Sequence, residues 1–230
     1  MKLSSLSILI PAYKDEETIE IVVKRAVQAA RAVTSVFEIL VLNDASPDRT
    51  GVILQKLKKQ IPQLKVRTHT INQGYGRTFS ELYSSGIYDW LYIIPGDYQI
   101  DPMEITKLVT STNRADMIIG RRVKRQDNEK RKQQSAVYNA LLRFLFGISI
   151  RDINSIRLMK RDVMKNRVIT ARSAFIDAQL TIGAIRDGFT VIERPIVHRK
   201  RMTSGASGGK LSIILPVIIE MLKYKLRSIV

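Results

Sequence analysis

Residues 7–16, Ser7-Ile8-Leu9-Ile10-Pro11-Ala12-Tyr13-Lys14-Asp15-Glu16, set a short apolar run against a polar loop that ends in carboxylates. The same design returns at Ile39-Leu40-Val41-Leu42 into Asn43-Asp44-Ala45-Ser46, and at Leu91-Tyr92-Ile93-Ile94 into Pro95-Gly96-Asp97-Tyr98-Gln99. Unbroken apolar runs are what strands buried on both faces look like. Open α/β sheets bind ligands just beyond the carboxyl ends of such strands. Three acidic loops gathered at one sheet edge suit a nucleotide base, a ribose and a divalent cation on a pyrophosphate.

Helices are expected between these runs. Asp15 to Arg31 puts Ile19, Val22, Ala26, Val27 and Ala30 on one helical stripe, with Asp15, Glu16 and Glu17 in the first turn, where carboxylates favour the helix dipole. A second helix from Thr50 to Lys59 halts near Pro62, and a strand follows from Lys65 to Thr70. The Asn72-Gln73-Gly74-Tyr75-Gly76 loop then opens a helix whose apolar side carries Phe79, Leu82 and Tyr83. A helix around Pro102 to Thr110 and a strand from Ala115 to Gly120 complete a repeated βα pattern. Parallel strands joined by right-handed crossovers are its default architecture.

The second half is less regular. Arg121 to Lys132 is polar and basic without apolar period, and reads as a loop; Gln133 to Phe146 is helical with Val137, Leu141 and Leu145 on one side. Phe175 to Arg186 is a further helix ending at Gly188. Phe189 to Glu193 and Ile196 to Arg199 read as two short strands around Pro195, and Ser204 to Gly209 as a flexible turn. The apolar run Leu211 to Ile219 is too short to span a bilayer, is interrupted by Glu220, and is followed by Lys223, Lys225 and Arg227. It is expected to form an amphipathic helix that packs on the domain or lies on a membrane surface. The division expected is therefore a domain over 1–210 and a C-terminal amphipathic helix over 211–230.

With 230 residues there is ample chain for a core, and 45% hydrophobic with 26% charged residues is ordinary for a folded protein. There is no cysteine, which excludes disulfides, thiolate metal sites and cysteine nucleophiles and permits a reducing, cytoplasmic setting. Met1 to Ser5 lacks a long apolar segment and is not expected to begin a signal peptide. The abnormal quantity is the net charge of +17. It implies an anionic partner, whether nucleic acid, an acidic membrane surface or a phosphorylated substrate, against the plainer reading of a solvated basic surface.

Asp97 and Gln99 offer a carboxylate and an amide oxygen at one strand end. Hard divalent cations take oxygen ligands, commonly one or two carboxylates plus substrate phosphates. Asp44 can accept from a base N–H or cap the next helix, Ser46 and Asp48 are helix-cap candidates, and Tyr13 can stack on a base or sit in the core.

Taken in order, these motifs resemble family 2 glycosyltransferases of the GT-A fold, a Rossmann-like, mostly parallel α/β sheet flanked by helices. The likeness is closest to dolichol-phosphate mannose synthase and related polyisoprenyl-phosphate glycosyltransferases. It rests on Pro11, Tyr13 and Asp15; Asp44, Ser46 and Asp48; Asn72, Gly74 and Gly76; and Asp97 and Gln99. Gly120-Arg121, Arg131 with Ser135, Asn139, Asp152 and the His198 to Ser207 segment continue it across nearly the whole chain.

The resemblance implies that Pro11, Tyr13, Asp15, Asp44, Asn72 and Gly74 bind the nucleotide sugar. Asp97 and Gln99 would hold Mg2+ or Mn2+ on the diphosphate, and Arg121, Arg131, Ser135 and Arg201 would surround the phosphates, with Asp97, Arg121 and Arg131 catalytic. Arginine suits the task because its planar fork meets phosphate oxygens in pairs. The implied reaction moves a hexose, with inversion, from GDP-mannose or a UDP-sugar to a polyisoprenyl phosphate. Peripheral association with the inner, anionic face of the membrane is implied, and a separate membrane subunit is compatible with it.

The chain departs from the family pattern at Pro95, where a first acid often stands, and at Lys14-Asp15 in place of Asn-Glu. Asp152 to Arg157 is one residue short, Gln179 replaces an acid, and Ser204 to Gly208 lacks a following lysine. A saccharide hydroxyl is the alternative acceptor, and it would need a general base, for which Asp177 is the nearest candidate, against the plainer reading of a carboxylate on the helix surface. Among other classes, a sugar nucleotidyltransferase would carry a basic Gly-rich loop where Pro11 to Glu17 is acidic. A nucleic-acid-binding module would want aromatics interleaved with the basic segment, and aromatics make up only 7%. A non-catalytic relative of the glycosyltransferases is the remaining reading.

Overall fold

The structure is a computed structural model that describes residues 2–123, 125–127, 129–200 and 211–227. Seven strands form one sheet in the order β3-β2-β1-β4-β6-β5-β7. They are β1 (Leu6–Ala12), β2 (Phe37–Asn43), β3 (Leu64–Thr68), β4 (Trp90–Ile93), β5 (Met117–Val123), β6 (Arg157–Lys160) and β7 (Val191–Val197). The helices are α1 (Ile19–Val33), α2 (Thr50–Gln60), α3 (Tyr75–Ser85), α4 (Ile105–Val109), α5 (Glu129–Phe146), α6 (Ile176–Arg186) and α7 (Leu211–Arg227). The fold is α/β and mostly parallel, as the strand-loop pattern requires.

The three apolar runs are β1, β2 and β4, and they are buried along nearly their whole length. Alternation across the pleat divides them between two cores. Leu6, Ile8, Ile10, Ile39 and Val41 meet α1, α2 and α4; Leu9, Leu40, Leu42 and Leu91 meet α3, α5, α6 and α7. β1 lies between β2 and β4, parallel to both, so the chain's progress across the sheet reverses there. Such a reversal opens a crevice at the strands' carboxyl ends.

β6 was not legible in the sequence, and it is the one strand running against its neighbours β4 and β5. Its inversion leaves β5 and β7 parallel to β4, so their carboxyl ends join the same edge. Four expectations need correction. β5 continues through Arg121 and Arg122 to Val123, paired with β7, and α5 begins at Glu129, which leaves little of the expected Arg121–Lys132 loop. The inward face of α5 carries Asn139 and Leu142, with Tyr138, Leu141 and Leu145 beside them, while Val137 is 68% exposed. β7 passes unbroken through Pro195, because an edge strand can turn a missing N–H away from its single neighbour. α1 starts at Ile19, because Asp15 is drawn into a turn in which its carbonyl accepts from Thr18 N and Ile19 N.

The C-terminal helix packs on the sheet's second face through buried Val217 and Met221. Glu220, which interrupts the apolar run, accepts from Arg172 N (3.0 Å), Ser173 N (3.1 Å) and Ser173 Oγ (2.6 Å). The carboxylate thereby anchors the segment before α6.

Candidate active site

The loops after β1, β2 and β4 meet through their backbones. Asp15 is buried; its amide donates to Thr50 Oγ1 (3.0 Å) and its Oδ2 accepts from Tyr13 N (3.0 Å). The Gly96 amide donates to Pro11 O (3.2 Å), and Gly96 O accepts from Thr18 Oγ1 (2.7 Å). A β-carbon on Gly96 would lie 2.7 Å from Asp15 Oδ2, so glycine is what lets the two loops touch. Asp97 follows, half-buried, with its Oδ1 accepting from Gln99 N (3.1 Å). Tyr13 is 43% exposed beside them, with its own Lys14 ammonium 5.4 Å from the ring centre.

Asp44 organises the neighbouring loop. Its Oδ1 accepts from Gln73 N (2.7 Å), its Oδ2 from Gly74 N (2.9 Å), and its carbonyl from Asn72 Nδ2 (3.1 Å). Gly74 has φ +79°, which glycine takes without penalty. Asp48 behaves as a cap, its Oδ1 accepting from Thr50 N (3.1 Å), whereas Ser46 Oγ accepts from Lys14 N (3.2 Å) and ties the first two loops together. Every expected nucleotide-binding residue thus lies on one connected rim: Pro11, Tyr13, Asp15, Asp44, Asn72, Gly74, Asp97 and Gln99.

Asp101 fastens the third loop to the end of β7. It accepts from Arg25 (2.8 Å) and Arg199 (2.8 Å), while Arg199 N donates to Gln99 O (2.7 Å) and its guanidinium lies 4.6 Å from the Tyr98 ring centre. Burial works to raise the Asp101 carboxyl, but the Arg25 hydrogen bond and charge hold it below the usual carboxylate range. His198, the residue before, is buried and close enough to Asp97 and Asp127 to feel both charges; burial dominates and pushes its ring below the ordinary histidine value. The sequence did not single out Asp101, and named His198 only as the start of the His198 to Ser207 segment, although both follow strand ends at the same edge.

The group that could hold a cation here is the Asp97 carboxylate, with Gln99 two residues on, its backbone N–H on Asp97 Oδ1, and the His198 imidazole close enough to feel the Asp97 charge. Among the described residues no three carboxylate or imidazole groups cluster as a complete cage. This donor set fits a hard divalent ion that completes its shell with diphosphate oxygens.

A cavity of about 450 Å³ opens at the carboxyl end of β5 beside the first half of α5, and Arg121, Arg125, Lys132, Ser135, Asn139 and Arg151 line it. Arg125 donates to Ser135 Oγ (2.8 Å) and pairs with Asp127 (2.8 Å). Arg122 and Asp152 form a bidentate pair (2.9 and 2.6 Å) in the wall. Burial favours the neutral acid, but the Arg122 bonds hold Asp152 below its usual range. Arg121 and Ser135 both line the cavity. Arg131 instead pairs with Asp127 (3.4 Å), and Arg201 and the Ser204–Gly209 turn lie outside the described residues. Arg151 was missed; its place before Asp152 was the available signal.

Asp177 is neither at the helix surface nor placed as a base. It is 2% exposed, pairs with the fully buried Arg157 (2.8 Å), and accepts from Tyr75 Oη (2.7 Å) and Tyr83 Oη (3.1 Å). Gln179, at the position of an expected acid, accepts from Thr170 N and Ala171 N instead.

The family described as glycosyl transferase family 2 matches residues 7–168. Polyprenol monophosphomannose synthase of Mycolicibacterium smegmatis is 29% identical over 208 residues, which cover 84% of this chain and 77% of that protein. Undecaprenyl-phosphate 4-deoxy-4-formamido-L-arabinose transferase of Photorhabdus laumondii is 27% identical over 205 residues; the match takes in 87% of this chain and 62% of the transferase's own length. Among solved structures, glucosyl-3-phosphoglycerate synthase from Mycobacterium tuberculosis, in complex with Mn2+, UDP and phosphoglyceric acid, superposes with a TM-score of 0.76 at 15% identity. The superposition covers 96% of this chain and 78% of the synthase.

Proposed function

The chain belongs to glycosyl transferase family 2, and on that premise we propose that it transfers a hexose, with inversion, from a nucleoside-diphosphate sugar to a polyisoprenyl phosphate. The observation that carries the reading is one sheet edge bearing two chemistries. An acidic rim of Asp15, Asp44 and Asp97 stands beside a basic cavity lined by Arg121, Arg125, Lys132 and Arg151.

In this reading the rim holds the donor, with Asp44 and Tyr13 at the nucleoside and Asp97 and Gln99 beside the diphosphate. Mg2+ or Mn2+, when bound there, supplies positive charge against the departing diphosphate. The arginines of the cavity hold the acceptor phosphate in paired hydrogen bonds. A phosphate is already ionised near neutral pH and needs no proton removed before it attacks the anomeric carbon. A saccharide hydroxyl would need a base, and Asp177 is committed to Arg157 and two tyrosines. The named relatives acting on polyprenol and undecaprenyl phosphate support the same acceptor class.

The test offers radiolabelled GDP-mannose and UDP-sugars to the protein with Mg2+ or Mn2+, a short polyprenyl phosphate and, in parallel, free saccharides. Label is expected in the solvent-extractable lipid, with Asp97→Ala lowering kcat by about a hundredfold. Transfer confined to a saccharide would overturn the acceptor assignment.

A further inference from the structure

Thr68 of β3 lies opposite Asn43 of β2 in the parallel register, so the residues that follow, His69 and Asp44, leave the sheet side by side. The largely buried imidazole of His69 reaches in two directions. Nδ1 lies 2.7 Å from Asp44 Oδ1, and Nε2 lies 3.0 Å from Glu81 Oε2 on α3. An ionised carboxylate accepts hydrogen bonds and donates none. With such an acceptor at each nitrogen, both nitrogens must carry hydrogen, and the ring in this arrangement is an imidazolium. The other charge facing the cluster is Arg67 of β3, whose Nη1 is 3.9 Å from Glu81 Oε1. Burial alone would lower the ring's hold on its proton; the hydrogen bonds and charges of Asp44 and Glu81 outweigh it and raise His69 above the ordinary histidine value.

The carboxylate gripped by this ring is also the one that receives Gln73 N and Gly74 N. A neutral ring could donate to only one partner and would turn a lone pair toward the other. Asp44 or Glu81 would then move, and the Asn72–Gly74 loop has no other tie of this kind to β2 than Asp44 among the described residues.

We propose that His69 is a positioning residue for the nucleoside end of the donor site: its imidazolium holds the Asp44 carboxylate, and through it the Asn72–Gly74 loop, so that nucleoside-diphosphate affinity falls as the ring loses its proton. The affinity half of this proposal rests on Asp44 as a nucleoside contact; the hold on the loop does not.

The chain has two histidines, which makes ring resonances simple to assign by NMR, with His69→Gln identifying one of them. The His69 ring is expected to titrate above His198, and the Gln73 and Gly74 amide signals are expected to shift with the His69 midpoint. UDP and GDP dissociation constants, measured from about pH 6 to pH 9, are expected to rise about tenfold across that midpoint. Glu81→Gln is expected to move both midpoints to lower pH, and His69→Gln to bind weakly with no pH step in this interval. A purely structural role for His69 would not tie the midpoint of nucleotide binding to Glu81. A His69 ring that titrates below His198, or loop amides that ignore its midpoint, would overturn the hold on the loop. Nucleotide affinity that stays flat while the ring titrates would overturn the coupling to the donor. If neither nucleotide binds at any pH, the donor reading fails and the affinity half falls with it, whereas the amide titration decides the loop in either case.

Discussion

Lys14, Ala45 and Tyr98 take left-handed backbone, with φ of +58°, +54° and +55°. Each adjoins one of the carboxylates Asp15, Asp44 and Asp97, at the carboxyl ends of β1, β2 and β4. Left-handed backbone costs a non-glycine residue about 1–3 kcal/mol, and such residues gather where a site over-determines its geometry. That the acids would stand at this edge was legible, because an acid directly after a buried run has few other places to go. Their surroundings were not, since they depend on partners distant in sequence: Gly96 against the Asp15 carboxylate, and His69 on Asp44. Gly96 is the sharpest test at this scale. In Gly96→Ala the new methyl meets Asp15 Oδ2 at 2.7 Å, and that carboxylate is pinned by Tyr13 N. Displacing it is expected to cost about 2 kcal/mol of stability, a fall in Tm of about 4–8 °C, while the donor KM rises about tenfold or more. Calorimetry beside donor-saturation kinetics checks both, and unchanged KM with lowered Tm would remove Asp15 from the donor site.

β6 shows what a sequence hides at the level of an element. Four residues beginning with arginine carry no strand period worth reading, and Arg157 looked like the end of a loop motif. In the fold it is fully buried, and its guanidinium reaches across to α6, donating to Asp177 O (3.1 Å), Thr181 Oγ1 (3.3 Å) and Ile153 O (2.8 Å) as well as pairing with the Asp177 carboxylate. Tyr75, itself 43% exposed, and the buried Tyr83 join that carboxylate from α3, and Tyr83 is pushed well above the usual phenol range, chiefly by desolvation. One ion pair thus joins β6, α6 and α3 under the site. β5 was misread for a related reason: Arg122 looks like loop until its charge is matched by Asp152, thirty residues away in sequence. Breaking a buried pair by removing one partner costs about 3–5 kcal/mol, because the other charge is left without compensation. Asp177→Asn is therefore expected to lower Tm by about 6–20 °C, and the joint replacement Arg157→Met with Asp177→Leu to recover much of it. If Asp177→Asn instead kept its Tm and lost kcat alone, Asp177 would act as a base, and a hydroxyl acceptor would replace the phosphate.

For the molecule as a whole, the charge and the last helix carry the expectation of binding at a membrane surface. Val217 and Met221 of α7 face the core, which leaves Leu215, Ile219, Leu222 and Leu226 outward, each at least 42% exposed and spaced four, three and four residues apart. Lys223, Lys225 and Arg227 flank that stripe, and the chain carries +17 overall. An apolar stripe with basic flanks suits a surface of anionic lipid, where each basic residue contributes about 1 kcal/mol and the apolar side chains enter the acyl boundary. No helix of the described residues is long and apolar enough to cross a membrane. Packing and membrane contact stood as alternatives in the sequence because both need the same amphipathic period. In the structure one face of the helix packs on the core and another is turned outward. We expect the protein to co-sediment with vesicles containing phosphatidylglycerol and to release from them as salt rises, since exposed charges are screened over about 8 Å at physiological ionic strength. Leu222→Glu with Leu226→Glu should weaken that binding about tenfold or more without lowering Tm, because both side chains leave the core untouched. Equal binding to neutral phosphatidylcholine vesicles would mean that the charge has another purpose. Salt-sensitive binding to nucleic acid in preference to anionic vesicles would assign it one.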